Sequence, residues 1–373
     1  MRKKPLFWIG SVVLFGFVTV GVGTSDAAAK TAKKKSATAT DTTTATPTAA
    51  ATAPRAASTR RQPAAAAPKR TLYSAERSLT RRATLARTRA NAVAREMAEV
   101  LPRYKVDASG EMVPDVRAAA AIVYDPETNE VLWEENSQSQ RSIASITKVM
   151  TATVFFENNP DTSQAVTIAK SDVYQASTTY LRLNDRVTVD DLLHLLLIAS
   201  DNAAARALAR VSPYGSEGFV SRMNEKALEL GLQSTSYADP SGLLWDNVSS
   251  AYDMARLITH ASSDERIASI MRMQGYTVYT DNRRVLTFHS TNHLLGRDDL
   301  DVRAGKTGFI SKAGYCLATL LRLPENGHQV AVVVLGARSN AGRFMETRNL
   351  FTWLSAQAPS VFATKTPVLQ PQP

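Results

Sequence analysis

The chain reads as an α+β protein: an antiparallel sheet covered by helices, with a helical central region inserted between the parts of the sequence that build the sheet. Strand-like segments lie towards both ends of the folded part, and between them runs a stretch with helical length and apolar spacing. A length of 373 residues with 44% hydrophobic content is enough to bury a substantial core.

The folded part begins near Arg117. Residues 118–124 form an apolar run, Asp125-Pro126-Glu127-Thr128-Asn129 is a turn, and Val131-Leu132-Trp133 continues as a second strand, which together read as a hairpin. Segments 145–157, 190–210, 218–230 and 252–261 predict helices, with Asp190 as the N-cap of the second. Strands return at 276–280, 284–289, 302–308, 315–323 and 329–336, and 343–356 closes as a helix. The lone cysteine, Cys316, has no partner for an internal disulfide, and its neighbours Gly314-Tyr315 and Leu317-Ala318 suit a buried strand position.

The N-terminal part differs in composition. Residues 1–105 hold 20 Lys+Arg against 5 Asp+Glu, and the remainder holds 24 against 29, so the basic balance belongs to this segment alone. A mildly acidic body has no phosphate-tracking balance, which argues against nucleic acid as a partner. Positive charge at Met1-Arg2-Lys3-Lys4, an apolar run over 6–23 and small residues at Ala27-Ala28-Ala29 make 1–29 a signal peptide or an N-terminal anchor. The body is therefore expected to be exported, to the periplasm or cell envelope. Residues 30–70, rich in Ala, Thr, Pro and Lys, read as a disordered linker. Residues 71–105 read as a basic, helical stalk, 106–358 as the folded domain and 359–373 as a disordered tail. The basic region could meet a membrane or an anionic wall polymer.

Three short motifs carry chemistry. Ser145-Ile146-Thr147-Lys148 sets an alcohol and an amine three residues apart at a helix start, on one face. A serine alcohol needs a base, and a lysine becomes one when burial and neighbouring cations lower its pKa. Ser200-Asp201-Asn202 interrupts an apolar helical stretch, where Ser200 could relay a proton and Asn202 hold a substrate amide. Lys306-Thr307-Gly308 follows Ala304-Gly305 in an edge strand, where small residues let a ligand backbone approach and a lysine could hold a carboxylate. Each motif alone recurs by chance; their order, with separations of 55 and 106 positions, is much more specific.

In that order the chain resembles the D-alanyl-D-alanine carboxypeptidase and endopeptidase family of low-molecular-mass penicillin-binding proteins. The resemblance is carried by 141–151, by Met223-Asn224-Glu225-Lys226-Ala227 with Leu230-Gly231-Leu232, by Ala238-Asp239-Pro240-Ser241-Gly242-Leu243 and by Thr291-Asn292-His293-Leu294-Leu295, and it runs from about Ala118 to Leu354. It implies the penicillin-binding protein/β-lactamase-like transpeptidase fold. It also implies Ser145 as nucleophile, Lys148 as base, Ser200 and Asn202 as relay and orienting pair, and Lys306 with Thr307 and Gly308 as substrate clamp. Backbone N–H groups of Ser145 and Phe309 would form an oxyanion hole. The implied partners are a peptidoglycan peptide as substrate and β-lactam antibiotics as covalent inhibitors.

Carboxypeptidases of that family usually carry a further β-rich domain and a C-terminal amphipathic helix, whereas here 65 residues follow Gly308. The chain thus looks most like the shorter endopeptidase type that cleaves D-alanyl-to-diaminopimelate cross-links, with DD-carboxypeptidase as the alternative. A β-lactamase would need a deacylating carboxylate, and Glu225 and Glu229 fit a helix face better. A non-catalytic wall-binding protein is the alternative of a different class. His194, His260, His289, His293 and His328 include no HExxH spacing, so neither a metal nor a cofactor is expected.

Overall fold

The computed structural model describes residues 82–91, 94, 101–324 and 326–363. The chain divides after Pro68, and the whole first unit lies outside the described residues. The expected signal or anchor, the linker, most of the stalk and residues 364–373 therefore lie there too. Of the stalk, 82–91 form an exposed helix.

The main sheet has five antiparallel strands: β1 (Ala120–Asp125), β2 (Glu130–Glu135), β3 (Asp301–Ile310), β4 (Gly314–Arg322) and β5 (Gln329–Ala337), in the order β3-β4-β5-β1-β2. The inner strands read as unbroken apolar runs because both faces of the sheet are covered. Along β5, Ala331, Val333 and Leu335 join one core while Val330, Val332 and Val334 join the other, and β1 alternates likewise through Ile122 and Val123. Helix α5 (Ala251–Ser262) packs on the first face and α7 (Asn340–Ala363) on the second.

The helical region inserted between β2 and β3 surrounds α1 (Thr147–Phe156), every residue of which is buried. Around it lie α2 (Val189–Leu197), α3 (Asn202–Val211) and α4 (Gly215–Glu229), with α6 (Glu265–Met271) near β3. A hairpin of Gly275–Tyr279 and Val285–His289 is tied to the helical region by the buried carboxylate of Asp185, which accepts from Asn282 at 2.9 Å and pairs with Arg284.

Several boundaries depart from the sequence expectation. The helix expected over 190–210 is two helices, because Ser200 adopts φ +61° and Asp201 is extended, its carboxylate accepting from Ala204 N at 2.9 Å to cap α3. The N-cap of α2 is Thr188, not Asp190: Thr188 Oγ1 accepts from Asp191 N while Asp191 Oδ2 accepts from Thr188 N, both at 3.0 Å. Ser145 lies in a 3₁₀ turn, Ala144–Ile146, one step ahead of α1.

The expected domain limits also move. Tyr104–Val106 pairs with Met112–Pro114, and Trp353 Nε1 in α7 donates to Met112 O at 3.1 Å, so residues assigned to the stalk belong to the folded body. Helix α7 continues through Pro359 to Ala363, into the segment expected to be a disordered tail, where the Phe362 ring meets His328 with centroids 4.5 Å apart. Cys316 is buried in β4, as expected.

Thr188→Ala should lower the unfolding free energy by about 1 kcal/mol, since the Asp191 N–H loses the hydroxyl that accepts from it. Urea denaturation of the variant beside Asp190→Ala, for which a smaller loss is expected, checks this placement of the cap.

Candidate active site

The turn bearing Ser145 is held in a costly conformation by its neighbours. Ala144 has φ +49°, which an L-residue with a side chain adopts only under constraint. Two glycines press against it. A Cβ on Gly308 would come 2.6 Å from Ile143 O and 3.2 Å from Ser145 N, and one on Gly242 (φ +76°) would overlap the carbonyl oxygen of Ala144. Strand β3 and the 239–244 loop thus clamp the Ser145 turn from two sides, with no room for side chains. The other small residue, Gly305, serves a different purpose from the one expected: its missing side chain makes space for the Asn292 amide, not for a ligand.

One turn along, Lys148 is fully buried. Its Nζ lies 3.0 Å from Ser145 Oγ, 2.7 Å from Asn202 Oδ1 and 2.5 Å from Ser241 O. Burial pulls its pKa down, the carboxylates of Asp239 and Asp201 pull it partly back, and it settles at about 7. A neutral amine has two N–H groups and one lone pair. With two carbonyl acceptors taking the N–H groups, the lone pair is left for the Ser145 hydroxyl.

The acceptors are themselves fixed. Asn202 donates its Nδ2 to Ala176 O at 2.6 Å, which orients Oδ1 towards the lysine. Ser241 O is placed by Asp239, whose carboxylate accepts from Ser241 N at 2.7 Å, Gly242 N at 2.9 Å, Leu244 N at 2.8 Å and Asn247 Nδ2 at 2.7 Å. Burial alone would raise the Asp239 pKa, but these hydrogen bonds outweigh it and keep the carboxylate ionised. Asp201, which faces Tyr180 N and Ala204 N, is raised by burial.

Strand β3 forms the opposite wall and is an edge of the sheet, as expected for Lys306, Thr307 and Gly308. Lys306 Nζ donates to Ser200 Oγ at 2.8 Å and to Thr307 O at 2.9 Å, and Thr307 Oγ1 is 2.6 Å from Thr291 Oγ1. Burial, reinforced by the charges of Lys148 and Arg343, holds the Lys306 pKa well below the usual lysine range. A cleft of about 440 Å3 opens between the walls and is lined by Ser145, Ser200, Asn202, Thr307, Gly308 and Phe309 among others.

Six of the eight residues expected as site residues therefore line one cleft, and the other two, Lys148 and Lys306, lie buried behind it, with their amines on Ser145 Oγ and Ser200 Oγ. Three contributors were missed. The Ser241 carbonyl and its organiser Asp239 were noticed only as part of a familiar segment. Arg343 donates to Gly308 O at 2.9 Å and Cys316 O at 3.1 Å and borders the cleft from α7, with no motif to mark it. Glu225 and Glu229 do lie on a helix face, in ion pairs with Arg222. Among the described residues no cluster of His, Cys, Asp and Glu could hold a metal ion.

Comparison with known proteins adds to this geometry. The family described as D-alanyl-D-alanine carboxypeptidase, peptidase S11, matches residues 107–339. The chain is 32% identical over 244 residues to a D-alanyl-D-alanine endopeptidase of Escherichia coli (strain K12), spanning 65% of this chain and 78% of that one. It is 28% identical over 246 residues to the D-alanyl-D-alanine carboxypeptidase DacF of Bacillus subtilis (strain 168), spanning 64% and 62%. The solved Streptomyces K15 DD-transpeptidase covers 65% of this chain and 98% of its own length, with a TM-score of 0.60 at 27% identity, in agreement with the transpeptidase fold expected.

Gly242→Ala should cost at least about 2 kcal/mol of stability, combining a left-handed backbone with an overlap onto Ala144. Comparing its urea midpoint with that of Gly327→Ala, where a Cβ meets nothing within 4 Å, separates the overlap from the backbone cost.

Proposed function

The chain belongs to peptidase family S11, the D-alanyl-D-alanine carboxypeptidases, as a serine peptidase of the peptidoglycan-acting type, and from that premise we propose that it is an endopeptidase cleaving D-alanyl-to-diaminopimelate cross-links. The observation that carries the chemistry is the amine of Lys148, buried, near neutral pKa, and 3.0 Å from Ser145 Oγ. The preference for cross-links draws on the endopeptidase of Escherichia coli, matched at higher identity and over more of its length than DacF.

In this reading Lys148 takes the Ser145 proton as Oγ attacks the D-alanine carbonyl carbon. Negative charge developing on the carbonyl oxygen is met by the N–H groups of Ser145 and Phe309. The C–N bond breaks as a proton passes to the leaving amine by way of Ser200, and water, activated by Lys148, hydrolyses the ester. Asn202 orients the peptide amide on the acyl side. Lys306, with Thr307 and the Arg343 guanidinium, meets the carboxylate on the carbon that bears the leaving amine. Two adjacent buried lysines do not both hold a proton without cost, and an arriving carboxylate restores the charge on Lys306 while Lys148 stays neutral. A β-lactam presents the same carbonyl in a ring and would remain esterified to Ser145.

The same reading places the enzyme outside the cytoplasm, in the periplasm or cell envelope, delivered by residues 1–29 and spaced from its point of attachment or release by 30–100. No helix among the described residues is long and apolar enough to cross a membrane. The basic N-terminal region would then meet anionic lipid or wall polymer.

Digestion of cross-linked sacculi by the full chain should deplete dimeric muropeptides, and Ser145→Ala should not. Release of D-alanine with cross-links intact would instead identify a carboxypeptidase, and no product of either kind would leave a wall-binding protein. Labelling of Ser145 by fluorescent penicillin should quicken as pH rises through about 7, because only the deprotonated Lys148 serves as base and its charged form dominates below that pH. Lys148→Arg, which keeps the proton, should slow labelling by about 100- to 10,000-fold.

A further inference from the structure

The cleft does not end at Ser177 and Leu243. Next to it lies a second hollow of about 550 Å3 bordered by Lys170, Tyr174, Gln175, Arg206, Leu243 and Leu244, and Leu243 belongs to both. Its walls are an exposed tyrosine ring and two leucines, and two cations stand on its border. Neither cation is neutralised there. Lys170 is exposed and makes no ion pair among the described residues, and Arg206 spends one nitrogen on Tyr174 O at 2.6 Å. The nearest acid in sequence, Asp172, is buried and held by Arg210 at 2.8 Å.

The wall shared with the catalytic cleft is under constraint. Gln175 has φ +50° and Ser177 φ +58°, two left-handed residues with side chains within three positions. Asn202 N and Nδ2 bind this segment, at Thr178 O (3.0 Å) and Ala176 O (2.6 Å), and Arg206 binds it one helical turn further along α3. The hollow is thus fixed to the Asn202 side of the site, while Lys306 with Ser200 marks the side of the leaving amine.

We infer that this hollow is a subsite for the residue that precedes the scissile D-alanine, holding an aliphatic side chain that ends in a carboxylate. Leu243, Leu244 and Tyr174 cover the methylenes, and Lys170 and Arg206 receive the charge. This assignment rests on the peptidase reading above.

The test uses the full chain and two synthetic peptides in which D-alanine is joined to the amine of a second D-amino acid. They differ only in whether the preceding side chain ends in a carboxylate or in its carboxamide. The wild type should favour the carboxylate peptide by about tenfold in kcat/KM, a difference of one charge-assisted contact. Lys170→Glu, at an exposed position where folding is not at stake, should remove or reverse that preference, and Lys170→Arg should restore it. Penicillin labelling of Ser145 with equal use of both peptides overturns the subsite alone, as does a Lys170→Glu loss shared equally by both. No turnover of either peptide and no labelling overturns the peptidase reading and the subsite together.

Discussion

The structure depends on keeping one lysine side chain dry. An amine buried as deeply as that of Lys148 is stable only where each of its polar directions is matched, and three parts of the chain converge to match them: Ser145 on its own turn, Asn202 at the head of α3 and Ser241 in the 239–244 loop. Removing water lowers the cost of losing the proton, and the two fixed carbonyl acceptors then decide which way the lone pair faces. The same burial that unsettles the charge makes the amine a base near neutral pH.

Much of the surrounding architecture is support for that arrangement. The carboxylate of Asp239 gathers four backbone N–H groups and the Asn247 amide so that a single carbonyl points inwards. Ala144 and Ser200 occupy left-handed conformations that cost stability, and each is gripped by neighbours: Ala144 between Gly242 and Gly308, Ser200 between the capped helix α3 and the Lys306 amine. Strain of this kind is concentrated around Ser145, where position matters more than stability.

The parts of this site that were legible in the sequence are those whose chemistry is written in side-chain identity. Ser145, Lys148, Ser200, Asn202 and Lys306 announce themselves because alcohols, amines and amides were expected at a catalytic site, and the alternation of apolar strands near both ends disclosed the sheet. Apart from Arg343, a lone side chain on α7, what was not legible depends on the backbone. The contribution of Ser241 is a carbonyl, which every residue has. The break between α2 and α3 lies in a run where Leu192 to Ala199 and Ala203 to Ala209 both favour helix, and only the left-handed Ser200 and the cap at Asp201 divide it. The cap at Thr188 was missed for a similar reason, since an acid-rich first turn offered Asp190 as an equally plausible start. At the chain ends, Tyr104 to Val106 and Pro359 to Ala363 lack the apolar periodicity of a core element, yet they dock on others that possess it.

The central pairing of the sheet carries a kinetic consequence. Strand β1 finds its neighbour β5 across more than half the length of the chain, Val333 opposite Ile122, so the middle of the sheet cannot close until nearly all of the polypeptide has been made. A ribosome-bound fragment lacking β5 would leave one edge of β1 without its hydrogen-bonding partner. Late closure of this sort leaves the first half of the sheet waiting for a partner that is among the last segments to be synthesised.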